Sequence, residues 1–146
     1  MAGLTYSVDT QRIERVSRRL AETMSSGEVA GEIAGLLKSQ TQRRLAETKT
    51  GPDGTPWPEW SEAYAETRHG GHSLLQGEGD LHDDILTYAD ARGAEVGSPL
   101  DYAAIHQFGG EEVGMNIPAR PYLGLSPDDA REIEKAVSDM FEGDLK

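Results

Sequence analysis

The stretch Tyr102 to Gly124, YAAIHQFGGEEVGMNIPARPYLG, limits the fold more than any other part of this 146-residue chain. Glycines at 109, 110, 114 and 124 mark turns, and Pro118 and Pro121 fix φ and withhold two amide donors. Tyr102, Ile105, Phe108, Ile117, Tyr122 and Leu123 stand between these breaks. Such a segment cannot run on as one helix or strand, so it must fold back and be packed by the rest of the chain. The expectation is that Tyr102 and Phe108 anchor the centre of the fold, and that Gly109 lets the backbone leave a short helix. His106, Gln107 and Arg120 are its conspicuous polar groups. His106 is read as a buried or half-buried histidine whose two ring nitrogens bond nearby backbone or Gln107. Arg120, held rigid by Pro118 and Pro121, is expected to grip a carboxylate with both prongs, inside the subunit or across an interface.

Earlier in the chain the periods are helical. Tyr6 and Val8 suit a brief strand or a tail, and Asp9 offers a cap. Ile13, Val16, Leu20 and Met24 recur at three- and four-residue steps, so a first helix is expected to about Gly27. Ser25 and Glu28 have capping-box spacing, and Val29, Ile33, Leu36, Leu37 and Leu45 continue a stripe to about Thr48. Arg43 and Arg44, near that helix's negative end, read as solvated. Thr50 to Pro58 is a turn, with Trp57 stapling it onto the helices while its N–H stays in water. Ser61 to Arg68 reads as a short helix with Tyr64 inward. The glycine-rich segment from His69 to Gly79 reads as a mobile, exposed loop.

From Ile85 the period changes to two. Ile85 to Ala89 and Ala94 to Gly97 read as a β-hairpin about Ala91-Arg92-Gly93. Asp101 is expected to cap a short helix from Tyr102 to Gln107 that Gly109 and Gly110 close. Ser126-Pro127-Asp128-Asp129 is a strong helix start, followed by Ala130, Ile133, Val137, Met140 and Phe141 on one face. This order predicts one α+β domain over residues 1–146: two N-terminal helices, a small mainly antiparallel sheet with a hairpin, and a C-terminal helix.

Charge narrows the function. The net charge is −12, and it is uneven: residues 1–50 hold 8 basic and 6 acidic side chains, and residues 51–146 hold 6 and 20. An acidic body repels phosphate backbones, which disfavours nucleic-acid binding as the main task. The charge suits solubility, contact with a basic partner, or a pore that does not trap DNA. With no cysteine, disulfides and thiolate metal sites are excluded. No apolar run approaches the ~20 residues of a membrane span, and no signal-peptide core opens the chain. Synthesis in the cytoplasm is expected.

Catalytic sets are weak. His69 and His72, with His82 and Asp83, carry metal-binding side chains, but the first two lie in a glycine-rich loop. Asp83 and Asp84, as strand neighbours, would point to opposite faces. Ser98 or Ser126 with His106 could imitate a hydrolase triad, without a G-x-S-x-G elbow to support it. The residues imply no catalytic, cofactor or metal site; a small hydrolase or metalloenzyme using His106 or the His69/His72 pair is the alternative.

Three motifs then carry a resemblance. They are Pro52-Asp53-Gly54-Thr55-Pro56-Trp57; Leu75 to Ile85 followed by Val96-Gly97-Ser98; and Tyr102-Ala103 with His106-Gln107-Phe108-Gly109 and Pro118-Ala119-Arg120-Pro121-Tyr122-Leu123-Gly124. Together they resemble the phage virion morphogenesis family of Mu G-protein-like tail completion proteins, from about Val29 to Phe141. The span from Trp60 to His72 departs from the family's lysines, and Leu45 or Ala46 stands where phenylalanine is usual. The resemblance implies a structural virion protein that completes the tail at its head-proximal end and helps join it to the head. It implies a ring subunit, in a hexamer, whose partners are copies of itself, tail tube and sheath proteins, and head-completion or connector proteins. DNA would pass through such a ring without sequence-specific contact. The implied location is the head–tail junction of the virion, after assembly in the bacterial cytoplasm. Trp57, Tyr102, His106, Gln107, Phe108, Gly109, Arg120 and Pro121 are the structural and interface candidates.

Overall fold

A computed structural model describes residues 3–9, 26–68, 70–77 and 79–144. The expected first helix, with Ile13 to Met24 and the Ser25 cap, lies outside the described residues. Leu4–Asp9 forms strand β1, so the strand reading of Tyr6 and Val8 holds. Helix α1 runs Ser26–Arg43 and widens into a π-helical turn, Arg44–Thr48. Two single helical turns follow, α2 at Glu62–Ala65 and α3 at Asp80–Asp83. The hairpin is β2, Leu86–Asp90, and β3, Gly93–Ser98. Helix α4 spans Ala103–Phe108, a 3-10 turn spans Glu111–Val113, and α5 spans Pro127–Asp144. The class is α+β, with a C-terminal helix and an antiparallel sheet.

β3 is the central strand, with β1 and β2 on either side. The hairpin closes because Asp90 Oδ1 accepts from the amides of Arg92 at 2.8 Å and Gly93 at 3.2 Å. Those amides hold the Asp90 carboxyl below the ordinary range. Thr87 faces Val96 and Ala89 faces Ala94 across the register, so these side chains share one side of the sheet. Helix α1 lies against β2 and β3 and also meets α5. Its buried stripe is Val29, Ala30, Ile33, Ala34, Leu37, Thr41, Arg44 and Leu45. Each fully buried Leu or Ile there contributes roughly 1.5–3 kcal/mol by leaving water. From α5 come Ile133, Val137 and Phe141 of the expected face, with Ala130 and Met140 half-buried at its edge. Ser126 Oγ accepts from Asp129 N at 2.9 Å and Asp129 Oδ2 accepts from Ser126 N at 3.0 Å, a reciprocal cap of the kind the sequence predicts.

Several expectations are corrected. Tyr64 is 49% exposed, because α2 is a single surface turn and its ring lies under the Arg68 guanidinium instead of inward. Asp101 does not cap α4: Tyr102 is the N-cap residue, without a side-chain cap bond. Asp83 and Asp84 lie on and after a helical turn, not on a strand. The loop after residue 69 is pinned where it is described. Leu74 is buried, Ser73 and Gln76 exchange backbone bonds at 2.9 Å, and Lys49 Nζ donates to Leu74 O at 2.8 Å and Ser73 Oγ at 2.9 Å. The same ammonium donates to Leu45 O, and burial lowers the Lys49 pKa.

The candidate interface site

Residues 118–123 are held from three sides, almost entirely through their own backbone. On the first side, Trp57 Nε1 donates to Pro121 O at 2.7 Å. Trp57 is therefore buried and hydrogen-bonded, and its N–H is not left to water. On the second side, α4 presents Gln107. Its Oε1 accepts from Tyr122 N and Leu123 N, both at 3.0 Å, and its Nε2 donates to Leu123 O at 3.0 Å. Arg120 N adds a bond to His106 O at 2.7 Å. On the third side, Arg44 Nη1 donates to Tyr122 O at 2.8 Å while Nη2 pairs with Asp129 Oδ2 at 2.5 Å. Arg44 and Asp129 are both buried, so Arg44 is not the solvated end charge that its position in the helix suggested.

Arg120 does use both prongs, but on carbonyls. Its Nε donates to Pro58 O at 2.7 Å and its Nη2 to Glu59 O at 3.1 Å. The carboxylate partner is corrected to two peptide oxygens of the same chain. A guanidinium is the side chain that can bridge two adjacent carbonyls with a fixed spacing. Burial lowers the Arg120 pKa, partly offset by the charge of Glu59.

Two glycines make this possible. Gly109 has φ +84°, and a Cβ there would press on Ala119 N at 3.1 Å and Ile117 O at 3.2 Å. Gly124, at φ +156°, lies under Pro52, and a Cβ would overlap the proline ring. The Pro52-Asp53-Gly54 turn is thus stacked on the end of the central stretch, which joins the first motif to the third.

The apolar members of the stretch divide unexpectedly. Tyr122, Leu123 and Ala103 are buried, but Phe108 is 70% exposed and Tyr102 41% exposed. Neither Phe108 nor Tyr102 anchors the fold; Tyr122 takes that place. Helix α4 is too short to bury more than one face, and Ala103 and Gln107 occupy the buried one.

His106 is half-buried between Tyr102, edge-on at 5.6 Å, and Arg120. Burial, then the Arg120 charge, pushes its pKa down. Its Nδ1 is enclosed without a hydrogen-bond partner, and Gln107 is turned to residues 122–123, so the expected pairing of both nitrogens does not occur. Ser98 Oγ accepts from Leu100 N and Ser126 Oγ from Asp129 N, and neither hydroxyl bonds to His106. His69 lies outside the described residues. His82 Nδ1 sits 2.9 Å from Asp83 Oδ1, and among the described residues no group of three His, Cys, Asp or Glu is placed to hold a metal.

Beside this cage opens a cavity of about 450 Å³, walled by α2, residues 73–77 and 79–81, α4 and residues 116–120. Trp60, Tyr64, Tyr102, Arg68, His106 and Arg120 line it. Arg68 lies over the Tyr64 ring at 4.7 Å, and its Nε has no hydrogen-bond partner.

The phage virion morphogenesis family matches residues 8–142. The chain belongs to that family. It is 34% identical over 143 residues to protein G of Escherichia phage Mu, named as a capsid assembly protein, covering 92% of this chain and 91% of that one. It is 30% identical over 137 residues to the Mu-like prophage FluMu G protein 1 of Haemophilus influenzae, covering 90% of each. FluMu G protein 2 of the same organism is 46% identical over 52 residues, 34% of this chain and 38% of that one. No solved structure matches the chain. As a member of the family it is a phage virion morphogenesis protein. Its described helices include none long and apolar enough to cross a membrane. Gln107, Gly109, Arg120 and Pro121, taken from the sequence as candidates, are all parts of the cage. The sequence marks Arg44 only as a helix-end charge and Asp129 only as part of a helix start, and it gives no sign of Lys49 or Arg68, because an isolated Arg, Lys or Asp carries no local signal of its distant partner.

Proposed function

We propose that this protein completes the phage tail at its head-proximal end, joins tail to head as a ring subunit, and catalyses no reaction. The family match over residues 8–142 carries the reading. Protein G of phage Mu is named for capsid assembly, and the head–tail junction is where capsid and tail meet. The site geometry suits a building part. Arg120, Trp57, Gln107 and Arg44 all spend hydrogen bonds on backbone groups of residues 58–59 and 121–123, which fixes a surface shape. The acidic body suits a ring that lets DNA pass without holding it.

The partners are copies of this chain, closing as a sixfold ring, with the tail tube and sheath on one side and head-completion or connector proteins on the other. The test is a nonsense mutation in the gene, examined by electron microscopy of the lysate. Filled heads and separate tails are expected, with infectivity restored by adding the purified protein. Joined, infectious particles that lack the polypeptide by mass spectrometry would overturn the proposal.

A further inference from the structure

Residues 108–115 form an apolar excursion with no cover among the described residues. Phe108 is 70% exposed, Val113 65% and Met115 49%, and the exposed carboxylates of Glu111 and Glu112 lie between them. The excursion is shaped, not slack: Val113 N and Met115 N both donate to Gly110 O, Gly114 N donates to Glu111 O, and Gly110 N donates to Ile117 O. Exposed apolar side chains gathered on one shaped loop and rimmed by charge are the pattern of an interaction surface.

The cavity beside the cage has the opposite character. Trp60, Tyr64, Tyr102, Leu75 and Leu81 give it an apolar wall; of its two guanidiniums, Arg120 is bonded to Pro58 O and Glu59 O and Arg68 is not, and Asp80 lies at the same wall. The Arg68 guanidinium rests on Tyr64 and makes no ion pair or hydrogen bond with a described residue. At about 450 Å³ the cavity is of the size that takes a bulky side chain with its neighbours. Its wall includes residues 116–118, the root of the same excursion, while the exposure of Phe108 and Val113 shows that the tip lies outside the cavity of its own chain.

We infer that the 108–115 excursion of one copy enters this cavity of the next, Phe108 and Val113 filling the aromatic wall and Glu111 or Glu112 pairing with Arg68. Apolar tip meets apolar wall, and carboxylates meet the guanidinium of that wall that is bonded to no described residue. Knob and cavity are different patches, so the contact is head-to-tail and can repeat until it closes as a ring. This inference rests on the ring reading above and names its contact.

The absence of cysteine permits a direct test. A Cβ at Gly77, on the cavity rim, meets only Arg68 Nη1 at 3.7 Å, so Gly77→Cys is tolerated; Val113→Cys is on the exposed tip. Two differently tagged single variants are assembled into particles together and treated with a short thiol cross-linker. The expected product joins 113 of one copy to 77 of another, in clear excess over 113–113 and 77–77. A chain carrying both thiols gives a ladder beyond dimer. Arg68→Glu weakens the cross-link severalfold, and Glu111→Lys with Glu112→Lys in the same chain restores it. Particles that contain the protein but show no 113–77 excess, a ladder that stops at dimer, or a charge swap without rescue overturns the inference and leaves the virion role standing. Particles without the protein remove the role itself.

Discussion

Gln107 holds Leu123 by both ends of its backbone: Oε1 accepts from Leu123 N at 3.0 Å and Nε2 donates to Leu123 O at 3.0 Å. One side chain thus stands where a paired strand would otherwise be. Pro118 and Pro121 prevent residues 118–123 from joining a sheet through their own amides, so a side chain must satisfy what remains. Gln107→Leu keeps the volume and strips pairing from Tyr122 N, Leu123 N and Leu123 O. It is expected to cost roughly 2–4 kcal/mol, read from urea denaturation. Gln107→Glu keeps both acceptor bonds and loses the donor, so its loss at neutral pH falls between wild type and Leu. A Leu variant as stable as wild type refutes this account.

The Arg44–Asp129 pair ties the π-helical end of α1 to the start of α5. Asp129→Asn leaves a buried guanidinium without its counter-charge, at a cost of roughly 3–5 kcal/mol. Replacing both partners, Arg44→Met with Asp129→Leu, removes the uncompensated charge, although the Asp129 bond to Ser126 N is lost with it. The double variant should unfold at a higher urea concentration than Asp129→Asn. The opposite order would show that the lost bonds, from Ser126 N to Asp129 and from Arg44 to Tyr122 O, together outweigh the charge.

For Arg120, lysine is the informative substitution. An ammonium cannot reach Pro58 O and Glu59 O with the fixed spacing of the guanidinium fork. Arg120→Lys is expected to lose about 1–2 kcal/mol and a few degrees of melting temperature. Calorimetry checks it, and an unchanged melting temperature would mean that the fork is dispensable.

His106 sets a pH dependence. Burial and Arg120 depress its folded pKa below the ordinary 6.5 of the unfolded chain. Below that value the unfolded chain binds a proton that the folded one resists, so His106 takes stability away as pH falls from 6.5 towards the folded pKa. Above pH 7 it has no effect of this kind. The urea midpoint of wild type, followed from pH 8 to 5, should fall more steeply below 6.5 than that of His106→Asn. Parallel curves would mean that the imidazole gains its proton as readily folded as unfolded.

The sequence by itself determined the hairpin, the start of α5 and the buried face of α1, whose causes lie within a few residues. The period-two run and Ala91-Arg92-Gly93 specified the hairpin, and Ser126 with the acids after it specified the start of α5. The apolar steps from Val29 to Leu45 specified the buried face of α1. These signals are local hydrogen bonds and side-chain periods, so a reader of the chain can see them. Tertiary structure alone decided the partners. Arg120 meets carbonyls 62 and 61 residues away, Trp57 a carbonyl 64 away and Arg44 a carboxylate 85 away. It also decided that Tyr122 goes inside while Tyr102 and Phe108 stay out, a choice their similar chemistry leaves open. Burial and long-range pairing depend on which surfaces the assembled elements bring together, and no spacing along the chain records that.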